Sequence, residues 1–230
     1  MNKFTQYNIL AEVFKYPSDQ FTKNVGACVD LFQEHYPDAL SPFGKFAEWA
    51  TITPLHEMEE VYTKTFHIQA ICYLDLGFVI FGEDYKRGEF LVNMKGEQQT
   101  ANNDCGDELP DNLINVLTLM PKIQDESFRN ELAVRIVIPS IHKMLDEFKS
   151  ARMELKTKVL RKKHKAILLE NQKNGNIYQH ALRALLLVVE TDFEGIHYEE
   201  PKHSTSGFEA AACGSSCSFI NTKTTKTVRS

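Results

Sequence analysis

The chain has 230 residues, 43% of them hydrophobic, and 26 Lys and Arg against 31 Asp and Glu give a formal net charge of −5. That supply of apolar residues excludes a chain too polar to fold alone, and the mildly acidic balance argues against nucleic acid as the main partner. Five cysteines (Cys28, Cys72, Cys105, Cys213 and Cys217) form no repeated CxxC pair; they read as reduced thiols, with Cys28 and Cys72 in the core.

From the N-terminus, Phe4, Ile9, Leu10, Val13 and Phe14 predict a first helix that ends at Tyr16 and Pro17, because the residue before proline is biased out of the helical region. The opening MNKFTQYNILAEVFKYP is too polar for a secretory leader, and no segment reaches membrane-spanning length. The expected location is therefore the cytoplasm, without stable membrane insertion. Ser18 or Asp19 caps a second helix carrying Phe21, Val25, Cys28, Val29 and Phe32, which leaves at Pro37. Ser41 and Pro42 open a third helix with Phe43, Phe46 and Trp49, and Thr53 followed by Pro54 starts a fourth through Leu55, Met58, Val61, Tyr62 and Thr65.

Between Ile68 and Phe81 only Gln69 and Asp75 are clearly polar, which predicts a central helix buried all round, with Asp75 either reaching water or pairing internally. Gly77 admits another backbone, Gly82 stops the helix, and Asp84 caps the next, YKRGEFLV. A polar stretch, Lys95 to Glu108, reads as a loop. Pro110 then opens a helix with Asp111 in its first turn, faced by Leu113, Val116, Leu117 and Met120 and ended by Pro121. Phe128, Leu132, Ile136, Ile141, Met144, Leu145 and Phe148 continue at helical spacing, with a bend at Pro139.

Residues 149–173 hold nine Lys or Arg against two Glu and predict a long basic helix, either a solvated face or a dock for an acidic partner. Ala181, Leu182, Leu185, Leu186 and Val189 supply the last core helix. Strand signals and internal repeats are missing. The expectation is an all-α, single-domain helical bundle of eight or nine helices over residues 1–190, with 149–173 as a basic insertion and 191–230 as a flexible tail.

No reactive set is complete. HEMEE, from His56, lacks the second histidine of a zinc motif; the ExxH of Glu194 to His197 lies beside Gly195 in the expected tail; Cys213 and Cys217 have no second pair. Walker, dinucleotide and GxSxG motifs are absent from the sequence. No catalytic residue, metal site or cofactor is expected. Tyr62 and Phe66 lie one turn apart on one helix face, where core packing is the commoner role; the functional reading is that they wall an apolar groove for an amphipathic peptide helix. Glu57, Glu59, Glu60, Asp84, Asp107, Glu108 and Asp111 surround these elements with carboxylates that suit a basic peptide. Arg87 is placed to tie Asp84 or Asp111.

In combination, YTKTF (Tyr62 to Phe66), YLDLGFVIF (Tyr73 to Phe81), GEDYKRG (Gly82 to Gly88) and ELPDNL (Glu108 to Leu113) resemble the delta-subunit chaperones of membrane-bound nitrate reductases, the NarJ branch of the NarJ/TorD-type redox-enzyme maturation proteins. The similarity runs from about Tyr7 to Val189, with gaps, and 149–173 reads as an insertion within it. The family pattern usually has His at Asn112; Asn keeps a hydrogen-bonding role but does not titrate. The resemblance implies a TorD/NarJ-like helical fold and a cytoplasmic chaperone, not an enzyme, with no cofactor of its own. It would bind the N-terminal peptide of a nitrate reductase-like molybdenum oxidoreductase's catalytic subunit until the cofactor is inserted. The peptide-binding residues would be Glu57, Glu60, Tyr62, Phe66, Tyr73, Asp84, Arg87, Glu108, Pro110, Asp111 and Asn112, in a monomer or a dimer. The rival reading is an α-helical regulatory adaptor that docks an acidic partner through its basic helix.

Overall fold

Helical periodicity translates into helices from the start of the chain. The structure is a computed structural model that describes residues 4–68, 70–161 and 176–197. Helix α1 (Gln6–Ala11) tightens into a 3-10 turn, Glu12–Phe14, and Lys15 is extended ahead of Pro17. Helix α2 (Phe21–His35) and helix α3 (Pro37–Ile52) are separated only by Tyr36, whose φ of −139° breaks the run. Here the expected opening of α3 at Ser41 and Pro42 is corrected: Pro37 takes the first position, where its ring pre-sets φ and its missing N–H costs nothing, and Pro42 forgoes one bond inside the helix. Helix α4 (Leu55–Phe66) starts one residue late, with Pro54 as its N-cap.

Helix α5 (Leu76–Phe81) is less than half the expected length. The predicted central helix over Ile68–Phe81 is not formed in its first part, where the chain turns at His67 and Ile68 and crosses in irregular backbone to Asp75. Apolar content alone does not make a helix; here the Leu74 carbonyl and Leu76 N–H bond to another segment instead. Gly82, at φ +63°, ends α5 as expected, and Asp84 caps helix α6 (Tyr85–Thr100) by accepting from the Lys86 N–H at 2.9 Å. The loop expected from Lys95 begins only after Thr100, because Met94 and Gln98 keep an inward face. Helix α7 (Leu113–Leu119) is opened by Asn112, not Pro110: the Asn112 side chain accepts from the Ile114 N–H at 3.0 Å.

Helix α8 (Glu126–Glu131), a π-helical stretch (Leu132–Val137) and helix α9 (Ile138–Arg161) run on without a break. The bend expected at Pro139 takes this form. Proline lacks the N–H and crowds the carbonyl four residues back, and the widened turn absorbs that while keeping Leu132, Ile136 and Val137 buried. Helix α10 (Tyr178–Asp192) packs on α3 and α9.

The core is aromatic where these helices meet. Phe46 lies 5.1 Å and Phe66 4.9 Å from the Tyr178 ring, and Phe32 meets Phe43 edge-on at 5.0 Å. The domain closes later than residue 190. The Asp192 carboxylate accepts from the Tyr36 hydroxyl at 2.7 Å and the Gln6 amide at 2.8 Å, and Phe193 is buried in a stack on Phe4. Among the described residues the fold is all-α, with a single isolated bridge between Asp75 and Asn112, and no helix is long and apolar enough to cross a membrane. The basic insertion beyond Arg161, the Cys213 and Cys217 pair and the tail from 198 lie outside the described residues.

Candidate functional site

The irregular segment 70–75 and the loop 101–112 hold each other. The Leu113 N–H donates to the Leu74 carbonyl at 2.8 Å, and the Leu76 N–H to the Asp111 carbonyl at 3.0 Å. From behind, a buried amide network fixes the loop. Gln98 donates to the Pro110 carbonyl at 2.8 Å, Asn115 to the Leu109 carbonyl at 2.9 Å, and Asn103 to the Gln98 side chain at 2.7 Å. Such a network is stabilising only when its members are satisfied, so the loop is pre-shaped rather than loosely draped.

Asp111 points inward, not into solvent. It is 0% exposed, and its Oδ2 accepts from the Gly77 N–H at 2.9 Å. A Cβ on Gly77 would sit 2.6 Å from that oxygen and 2.8 Å from the Phe90 ring, so the close approach requires glycine. Burial, then repulsion from Asp75, pushes the Asp111 carboxyl up to about 6, against the pull of the Gly77 N–H and Arg87. Burial also raises Asp75, opposed by Arg87 and by a hydrogen bond from Asn112. Arg87 pairs with Asp75 at 3.8 Å and lies over the Phe78 ring at 5.1 Å; neither Asp84 nor Asp111 is its ion-pair partner as expected, because Asp84 is spent on its cap.

In front of this support lies a cleft of ≈ 210 Å³, lined by Tyr62, Phe66, His67, Tyr73, Leu74, Asp75, Glu108 and Asn112. Its aromatic floor belongs to the core. Tyr62 is buried and donates its hydroxyl to the Phe14 carbonyl at 2.9 Å, while both it and Phe66 pack on Tyr178. Its rim inverts the usual order: Tyr73 is 44% exposed with its ring edge-on to Phe78 at 4.8 Å, and exposed Tyr16 meets Tyr62 at 5.4 Å. Ile68 and Leu109, next in sequence to two lining residues, are 67% and 42% exposed. Glu108 accepts from the Asn112 amide at 3.3 Å.

Five of the expected residues thus line one cleft: Tyr62, Phe66, Tyr73, Glu108 and Asn112. The other six do not. Glu57 is exposed on the first turn of α4; Glu60 pairs with Lys64, which holds its carboxyl below the usual range; Asp84 caps α6; and Arg87 stands behind Asp75. Pro110 offers its carbonyl to Gln98, and Asp111 is internal. His67, Leu74, Asp75 and the neighbouring Tyr16 escaped the sequence reading as site residues. The continuous helix expected over 68–81 hid Leu74 and Asp75, although Asp75 as the one charge in an apolar run was a signal.

Chemically, the cleft offers aromatic edges for an apolar stem and the Asp75 and Glu108 carboxylates for a cation at its end. Among the described residues no group of three or more His, Cys, Asp or Glu is arranged to hold a metal. The Cys28 thiol is buried, which pushes it up to about 12. No protein-family model matches the chain, and no curated protein matches it.

Proposed function

We propose that this protein is a non-catalytic assembly chaperone of the NarJ type. It holds the N-terminal peptide of a molybdenum oxidoreductase's catalytic subunit in the cleft between α4 and the 101–112 loop until the cofactor is inserted. One observation carries the reading. YTKTF and YLDLGFVIF, neighbours in sequence, and ELPDNL, well beyond them, are three of the four segments that bear the resemblance and supply walls of a single cleft, while the fourth, GEDYKRG, contributes the arginine that pairs with Asp75.

The physics of the cleft suits such a ligand. An amphipathic peptide would set its apolar face on Tyr62, Phe66 and Tyr73, and a basic side chain would reach Asp75 and Glu108. At Asp75 negative charge is in excess, since Arg87 pairs with it at 3.8 Å while the neighbouring Asp111 carboxylate repels it. An incoming cation relieves that imbalance, and its contribution is weakened by salt where the pair stays near the surface.

The test is co-purification from the native host, followed by calorimetric titration of the recovered subunit's synthetic N-terminal peptide. A molybdenum catalytic subunit is expected, and Tyr73→Ala combined with Glu108→Lys should weaken the peptide by ~10- to 100-fold, as loss of an aromatic anchor and reversal of a rim charge do. Recovery of an acidic protein whose binding ignores both substitutions would replace this reading with the adaptor that docks through residues 149–173.

A further inference from the structure

We propose that the resting occupant of the cleft is the chain's own C-terminal segment, Phe219–Arg229, which a client peptide must displace. The inference rests on the reading of the cleft as a peptide site and adds its regulation. Of the eight large hydrophobic side chains exposed among the described residues, Tyr73 lines this cleft, Tyr16 packs edge-on against Tyr62 of its lining, and Ile68 and Leu109 are next in sequence to the lining residues His67 and Glu108. Exposed apolar side chains that recur around one cleft suit an apolar occupant.

The chemistry of the segment complements the cleft in order. From Ala210 to Ser230 the chain has no Asp or Glu; it carries the apolar pair Phe219 and Ile220 and then Lys223, Lys226 and Arg229. Phe219 and Ile220 match the aromatic lining of Tyr62, Phe66 and Tyr73, and the cations that follow match Asp75 and Glu108. The other basic stretch, 149–173, does not offer this. Its first part to Arg161 continues α9, and its apolar residues are spread at helical spacing instead of grouped ahead of the charges.

Reach decides whether an intramolecular contact is worthwhile. Helix α10 begins under the cleft, since Tyr178 touches Phe66 and Tyr62, and its 15 residues carry the chain about 22 Å away. Residues 198–218, rich in Ser, Gly and Ala, then separate His197 from Phe219. Those 21 residues reach at most roughly 70 Å, about three times the return distance, so Phe219 can come back to the cleft. A partner tethered within reach is present at an effective concentration in the millimolar range. Even a weak contact, with a dissociation constant of ~100 μM, would then fill the cleft most of the time and reduce the apparent affinity for an external peptide by ~10-fold.

Two measurements on the full chain test this. With Phe219→p-benzoylphenylalanine, irradiation should produce an intramolecular cross-link to residues 62–75 or 105–112. A cross-link elsewhere, or none, overturns the proposal, and a concentration-dependent cross-linked dimer assigns the cleft to a second copy's tail instead. In parallel, a synthetic peptide of Ser218–Ser230 should bind the Phe219→Ala, Ile220→Ala, Lys223→Glu, Lys226→Glu variant ~10-fold more tightly than the wild type. Equal affinity, or binding to neither, overturns the proposal. The outcome also separates the two readings. Equal binding of the client subunit's N-terminal peptide to wild type and variant would leave the chaperone intact and remove self-docking. A cleft cross-link from position 219 with no client binding would do the reverse.

Discussion

The surroundings of Phe46 and of Asn112 are built on opposite rules. Around Phe46 large side chains are buried and the neighbours are rings: Phe21, Phe43, Trp49 and Tyr178 all lie within 6.1 Å of it, centroid to centroid. Around Asn112 the polar groups are inside, with Asp111, Gln98, Asn103 and Asn115 buried, and Tyr73 and Leu109 are left facing solvent. The first region is held by volume and contact, the second by hydrogen-bond satisfaction. A surface that leaves apolar groups exposed gains little rigidity from burial, so its order has to come from a buried polar frame.

The largest effect should come from emptying the ring cluster. Phe46→Ala removes a fully buried ring and leaves a cavity, which costs ~3 to 5 kcal/mol and lowers the melting temperature by roughly 10 °C for a chain of this size. A loss below about 1 kcal/mol would mean that the aromatic core is not the stabilising region.

Next comes Gly77→Ala, which forces a methyl group onto the Asp111 carboxylate and the Phe90 ring and should destabilise by ~2 to 3 kcal/mol. Its control sharpens the contrast. Gly26→Ala in α2 meets nothing within 4 Å and should stabilise by ~0.5 to 1 kcal/mol, because alanine is the better helix former. Chemical denaturation of the pair, read by circular dichroism, should therefore give shifts of opposite sign.

A third experiment uses pH. The folded protein holds the Asp111 proton more tightly than the unfolded chain does, so the associated stability is fully present below about pH 4 and is lost as pH rises through about 6. Asp75, raised in the same direction and facing the same Arg87, adds to the trend. Asp111→Asn keeps an acceptor for the Gly77 N–H but does not ionise. Its stability relative to wild type should improve by on the order of 2 kcal/mol between pH 4 and pH 7. Parallel stability curves across that range would show that Asp111 does not titrate as its burial requires.

The smallest expected change is in stability alone. Glu108→Gln removes an exposed rim charge and should alter unfolding by less than ~0.5 kcal/mol. Yet the same substitution should lower affinity for a basic peptide and flatten its salt dependence, since exposed charges are screened within about a Debye length. A clear loss of stability would make Glu108 part of the frame and not of the rim.

Much of this molecule is legible in the residue order, and for local reasons. The apolar spacing of Phe21, Val25, Cys28 and Phe32, or of Ala181, Leu182, Leu185 and Val189, marks one face of a helix whatever it packs against. Gly82 and Asp84 act through their own backbones, so their roles as stop and cap need no knowledge of the rest. Tyr62, Phe66, Glu108 and Asn112, singled out in the sequence by the segments that carry them, line one cleft. Misreadings arose where a residue's partner lies far along the chain. Asp111 had every local reason to sit in a first helical turn, yet it is drawn inward by the Gly77 N–H, 34 positions away.

What the sequence by itself determined is therefore the helical class, the helix ends that single residues impose, as at Gly82 and Asp84, and the composition of the aromatic core. Each of these follows from short-range sterics, periodicity and the transfer of apolar side chains from water. Only the tertiary structure decided that 70–75 crosses as irregular backbone instead of continuing a helix, that Asp111 is internal while Tyr73 is not, and that α4, this crossing and the 101–112 loop enclose one cleft. The physical reason is that an apolar run can satisfy its backbone within itself or against another segment. The second solution exists here because Leu74 and Leu76 find their hydrogen-bond partners at Leu113 and Asp111.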